Sequence, residues 1–332
     1  MVYALQLYWV RNHYLSQGRT LAEAVIASAK EIPHLEGEAA FHRKVLIAKA
    51  LSTLSALAMG QGDLQYLREV SAKCEGYAYE VGDKVLVART LAFKCEAHLS
   101  VGNMEGVEAW CRDAVACAQE GNDPFALGMS LGVTCQYLLI TGKDPEKARE
   151  AASQGTKILQ ENGLLWGYAL VFLGIGMMAK YKGDFEFSRE TLRNILPLFV
   201  EMGDTHQETM IQSELGHMER YEGHLEKAEQ IYRATILVWQ RIGHRAAVAN
   251  QLESLAFIAS AYNRVERAAR LLGAAEALRE KINIQMSQFE RSEYDKEVAG
   301  LRNCLGEPAF SNRWSEGCLM TMEQAVEFAV DT

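Results

Sequence analysis

The chain has 332 residues, a net charge of −9, 49% hydrophobic residues and only 5 Pro. That is length enough for a large core, a proline content that permits long helices, and a charge balance with no pull towards nucleic acid or an anionic membrane. The 7 Cys form no C-x-x-C pair, which fits reduced thiols in a cytoplasm rather than a disulfide framework.

The opening run MVYALQLYWVRNHY has no basic n-region and no small-residue cleavage site. It reads as the start of a helix pair turning at Gly18, not as a signal peptide. Turns follow at Gly62, Gly102, Gly142, Gly183 and Gly223, with Asn263 in the same phase, at a step of about 40 residues. A second set falls between them at Gly82, Gly121, Gly163, Gly203 and Gly243. Each interval has helical length, with apolar residues recurring at i, i+3, i+4 and i+7. Gly supplies the left-handed residue that ends a helix. Asp63, Asp83, Asp184 and Asp204 follow such glycines and can cap the next helix. The stretches 124–142 and 163–179 carry no charge and approach the length of a membrane span. Both keep the phase of the repeat, so they read as buried helices. The run from Arg264 to Lys281 alternates Arg with Glu and reads as a solvated helix face. In the tail, Phe310 and Trp314 read as packing anchors.

Aligned on the first set of turns, the repeat has a register. Small residues stand before the turn at Cys95, Cys135, Gly176, Gly216 and Ala256. Mostly small ones stand after it at Val107, Ala148, Ser188, Ala228 and Ala268, and mostly large apolar ones further upstream at Leu91, Leu131, Phe172, Gln212 and Leu252. This large–small–turn–small order resembles the tetratricopeptide (TPR) repeat, whose usual period is about 34 residues. The expected fold is an all-α, TPR-like right-handed solenoid. About seven antiparallel helix pairs cover residues 1–284, and a helical cap covers 285–332.

The TPR resemblance implies that the first helix of each pair lines a concave groove. In this register the inward positions include Arg89, Glu96, Met129, Gln136, Leu173, Met177 and Tyr181, then Ser213, His217, Arg220, Tyr221, Asn250 and Glu253. The middle is apolar and Met-rich, and the ends are polar, a composition suited to a peptide, a protein partner or a small inducer. The same apolar stripe also reads as ordinary core. No phosphate-binding loop, no H-E-x-x-H and no nucleophile–base spacing occurs. Gly174-Ile-Gly176 lies mid-helix and reads as helix packing rather than a dinucleotide fingerprint. His217 and His224 are separated by a helix-breaking Gly and lack the ligand count of a metal site. No catalytic residue, metal or cofactor is expected.

Three segments carry a more specific resemblance. Residues 4–29 (ALQLYWVRNHYLSQGRTLAEAVIASA), residues 267–280 (RAARLLGAAEALRE) and the tail 304–330, with Trp-x-Glu-Gly followed by Glu-x-Ala-Val, are similar to the helical-repeat sensor region of large bacterial ATP-dependent regulators of the LuxR-type/STAND class. That resemblance implies a non-catalytic sensing region, working with an NTPase module in the same or a partner chain, in transcription regulation. The sequence holds neither the NTPase nor a helix-turn-helix. The alternative expectation is a stand-alone TPR scaffold that docks protein partners.

Overall fold

The computed structural model describes residues 2–11, 14–33, 35–282, 286 and 288–331, without the side chains of Tyr181, Gln288 and Phe289. Every regular element among the described residues is a helix. The chain divides into two compact units, Met1–Asp204 and Thr205–Thr332.

The first unit holds α1 (Gln6–Arg11), α2 (Leu15–Glu31), α3 (Gly37–Gln61), α4 (Leu64–Val81), α5 (Lys84–Leu99), α6 (Val107–Glu120), α7 (Pro124–Thr141), α8 (Pro145–Glu161), α9 (Leu165–Tyr181) and α10 (Phe185–Glu201). From α3 onwards these pack as successive pairs. The turns fall where the glycines place them. Gly62, Gly82, Gly142, Gly163 and Gly183 all have positive φ. Asp63, Asp83, Asp123, Asp144 and Asp184 each accept a backbone N–H of the following helix, satisfying donors that a helix start leaves orphaned. At one turn the work shifts by a residue: Gly121 keeps φ −75 and Asn122 takes the positive angle, φ 50.

Gly18 departs from expectation. It is no turn but a buried residue inside α2. A Cβ there would lie 2.8 Å from the Trp9 ring. Glycine at this position lets α1 lay its indole against α2. Helices α1 and α2 thus stand where the first regular pair was expected. Helix α7 alone among the described residues is long and apolar enough to cross a membrane by length and composition. It packs between α5, α8 and α9 in phase with the repeat.

The second unit holds α11 (Thr205–Tyr221), α12 (Leu225–Arg241), α13 (Arg245–Ala261), α14 (Val265–Ile282), α15 (Gln288–Leu305), α16 (Glu307–Cys318) and α17 (Met322–Val330). Pairs α11/α12 and α13/α14 continue the repeat, and α16 and α17 pack on α12–α14.

The register is physically exact in both units. Val107, Ala148, Ser188, Ala228 and Ala268 are all fully buried. Their partners before the turn are equally tight. A Cβ on Gly176 would touch Leu192 at 3.0 Å, and one on Gly216 would meet Ile231 at 2.9 Å. Small side chains here let paired helices approach closely, and larger ones would overpack.

The Arg-rich helix α14 is not a solvated face. Arg267 donates to the carbonyls of Phe328, Ala329 and Asp331 at the end of α17. Arg270 pairs with Glu316 of α16, and Arg279 forks onto Glu253 of α13. Phe310 is buried, and the Trp314 indole donates to Glu276 at 2.8 Å, so both anchor the closing helices.

Candidate functional site

In the first unit, two inward residues of α5 and α7 meet each other, and a third is taken up by the N-terminal segment. Arg89 donates to the Tyr3 hydroxyl at 2.6 Å and stacks on the Tyr3 ring, 5.0 Å to its centroid. The N-terminal segment therefore already occupies this arginine. Glu96 accepts the Gln136 amide at 3.0 Å. The two stand at equivalent positions of consecutive repeats. Burial pushes the Glu96 carboxyl up to about 7, against the opposing Gln136 hydrogen bond. Gly174 explains how Gln136 reaches back: a Cβ there would lie 2.5 Å from the Gln136 amide nitrogen. Leu173 is buried. Met129 packs half-buried against the apolar cluster of α7 to α9, and Met177 is half-buried on α9. The Tyr181 side chain lies outside the described residues.

In the second unit, five of the six predicted inward residues come together beneath or beside α15. Arg220, on α11, donates to both oxygens of Glu293 at 2.6 and 2.9 Å, and the Tyr221 hydroxyl adds a bond at 3.3 Å. The guanidinium also lies 4.5 Å from the Tyr221 ring and 5.1 Å from that of Phe257. A planar fork on a carboxylate, flanked by aromatic faces, is the geometry in which arginine binds most strongly. Burial would raise the Glu293 carboxyl; the Arg220 hydrogen bonds and charge outweigh it and hold the group below the usual carboxylate range. On α13, Asn250 donates to Glu290 at 2.9 Å. Glu253 is buried under the Arg279 fork; its burial raises the carboxyl even against that cation. His217 meets the Tyr232 hydroxyl at 2.8 Å. The sixth, Ser213, accepts the Trp239 indole N–H at 3.0 Å and so serves packing.

Two groupings were not legible from spacing. Glu219, Glu222 and His224 offer ligand atoms within 4.8 Å of one another. Glu219 already bridges His224 at 2.9 Å and Lys227 at 2.7 Å, so a cation is in place and the trio works as an ion-pair knot between α11 and α12. Among the thiols, the Cys111 S–H meets Cys95 at 3.7 Å across α5 and α6. Both are buried.

In the second unit the inward face holds the carboxylates of α15. No protein-family profile matches the chain. In sequence it is 21% identical over 304 residues to proteins of Mycobacterium bovis and Mycobacterium tuberculosis that carry the provisional name of HTH-type transcriptional regulator, over 81% of this chain and 34% of theirs. The chain spans about a third of the length of the curated relatives it matches. In structure it is similar to a Signal Transduction ATPase with Numerous Domains (STAND) protein with a tetratricopeptide repeat sensor from Pyrococcus horikoshii. There the TM-score is 0.51 at 15% identity, over 84% of this chain and 43% of that one. It is also similar to a Rap protein complexed with Competence and Sporulation Factor, with a TM-score of 0.58 at 11% identity, over 98% and 94%. Those likenesses establish the fold, a TPR-like helical repeat.

Proposed function

We propose that the chain is a non-catalytic sensing region that binds a protein or peptide partner on its inward helix faces and serves a signal-transducing transcription regulator. The observation that carries this reading is the Arg220–Tyr221–Asn250 face, which grips carboxylates of an apposed helix. Recognition of one helix by side chains from several others is a recurring mode of partner binding. The partial match to mycobacterial proteins named as regulators, and the fold shared with a STAND sensor, support a role in regulation. In this reading an NTPase module, in the same or a partner chain, turns partner binding into output.

A second reading, a free-standing scaffold, draws support from the Rap protein, which this chain matches over nearly the full extent of both. The two separate by mass. An antibody to this region, used on native cells, should reveal a band much heavier than 37.0 kDa if the region is an arm of a regulator. A band at 37.0 kDa would overturn the attached-arm reading and favour the scaffold.

A further inference from the structure

We infer that α15 is a displaceable strap, and that the partner it gives way to presents an acidic helix with carboxylates spaced as Glu290 and Glu293 are. This rests on the partner-binding reading and names the partner's chemistry.

Glu290 and Glu293 stand three apart on one helix, so both carboxylates face the same side. That side meets Asn250 and Arg220, each on the first helix of its pair. The contact is therefore the one a ligand on the inner face would make, performed by the chain's own helix. It is complementary in charge, with anionic groups on α15 against a guanidinium on α11.

Helix α15 is held differently along its length. Its later part enters the apolar core through Val298 and Leu301, the latter 1% exposed. Its earlier part adds the Glu290 and Glu293 bonds to the buried Tyr294, with Met286 packed on the same core just before the helix. Gly300 lies beside the core anchor. A Cβ there would meet nothing within 4 Å, so packing does not require glycine. Glycine inside a helix is a point of weakness, placed here between the anchors Val298 and Leu301.

The socket is not exhausted by its present occupant. The Arg220 side chain is only 10% exposed while that of Glu293 is 36% exposed, so the socket is buried and its plug is reachable. The Arg220 Nε is buried without a direct carboxylate partner, although the Tyr232 hydroxyl lies near the guanidinium. A partner helix presenting carboxylates at the same spacing would compete with α15 for this guanidinium. Until then, the strap lowers the partner's apparent affinity by the fraction of chains in which it is docked.

The test uses the full chain and a fluorescein-labelled synthetic peptide of residues 288–303 (QFERSEYDKEVAGLRN). The double variant Glu290→Lys, Glu293→Lys should bind the peptide at least about 10-fold more tightly than wild type, because its own strap is undocked. Hydrogen exchange in α15 should quicken while α11 to α14 stay protected. A peptide carrying the same two lysines should not bind. If the double variant does not fold, Glu293→Gln, which keeps the shape and removes the charge, is read in the same way. Absence of peptide binding in a folded variant overturns the strap. So does loss of protection in α11 to α14 together with α15, which would make α15 ordinary core. Displacement of the peptide by free glutamate at equal concentration also overturns it, in favour of a small carboxylate pocket. Peptide binding combined with a native mass of 37.0 kDa leaves the strap standing and removes the attached-arm reading.

Discussion

Glu96 shows how much one inward residue can say about the fold. Its carboxyl stands at about 7 in the folded chain against an ordinary 4.5, because burial disfavours the charge. The folded state therefore holds the proton more tightly than the unfolded chain does. Its contribution is neutral below about pH 4.5, and stability falls as pH rises from there through about 7. Glu96→Gln should stabilise the chain by about 1–3 kcal/mol at pH 8 and change nothing near pH 4.5. Urea denaturation at the two pH values checks this, and an equal effect at both would rule it out. Gly174→Ala should push the Gln136 amide away from Glu96 and raise the carboxyl further, since that hydrogen bond favours the ionised form. An NMR titration of Glu96 that does not move would refute this. The sequence placed Glu96 and Gln136 at matching positions of adjacent repeats. It could not show that they touch, nor that Gly174 makes room for them, because apolar periodicity says which face a residue is on and not how far its side chain reaches. The same limit hid the thiol contact of Cys95 with Cys111.

Helices α14 and α16 form a clasp, and it lies in the segments whose resemblance is most specific. A Cβ on Gly273 would collide with the Trp314 carbonyl, and one on Gly317 with the Arg270 carbonyl. Backbone therefore meets backbone at this crossing, which only glycine allows. Around it, Arg270 pairs with Glu316, Trp314 donates to Glu276, and the Cys318 thiol donates to the Gly273 carbonyl at 3.3 Å. Gly317→Ala should cost about 1–3 kcal/mol, the usual penalty for forcing a methyl into a packed contact. A urea midpoint unchanged from wild type would mean that the helices can part without loss. The fragments RLLGAAE and Trp-Ser-Glu-Gly were legible as a signature, but their reason was not. Two glycines 44 residues apart and on different helices fall off the repeat step and give no periodic signal. For the same reason the arginines of α14 resembled a solvated face, although three of them are committed to α13, α16 and α17. The grip of α15 on α11 spans 73 residues of sequence, and no local pattern announces it.

At the scale of the whole molecule the sequence is most informative, because a repeat writes its architecture many times over. The turns, the small positions and the capping aspartates recur, and each copy corrects the reading of the others. The exception is the first copy, where Gly18 mimics a turn but serves Trp9. Repeat architectures draw their stability from neighbouring helices, and their regions open separately. Two compact units in one chain should therefore show two separable losses of protection. Trp9 is buried in the cluster that includes Leu15, Leu54 and Leu57. Trp9→Ala should cost about 3–5 kcal/mol and quicken hydrogen exchange in α1 to α4, leaving α11 to α17 unchanged. Gly317→Ala should do the reverse, loosening α13 to α17 and sparing α2 to α8. Since the two residues share no partner, the double variant should lose the sum of the single effects within about 0.5 kcal/mol. If either substitution instead quickens exchange along the whole chain, the molecule unfolds as one cooperative body, and the units are divisions of contact without being divisions of stability.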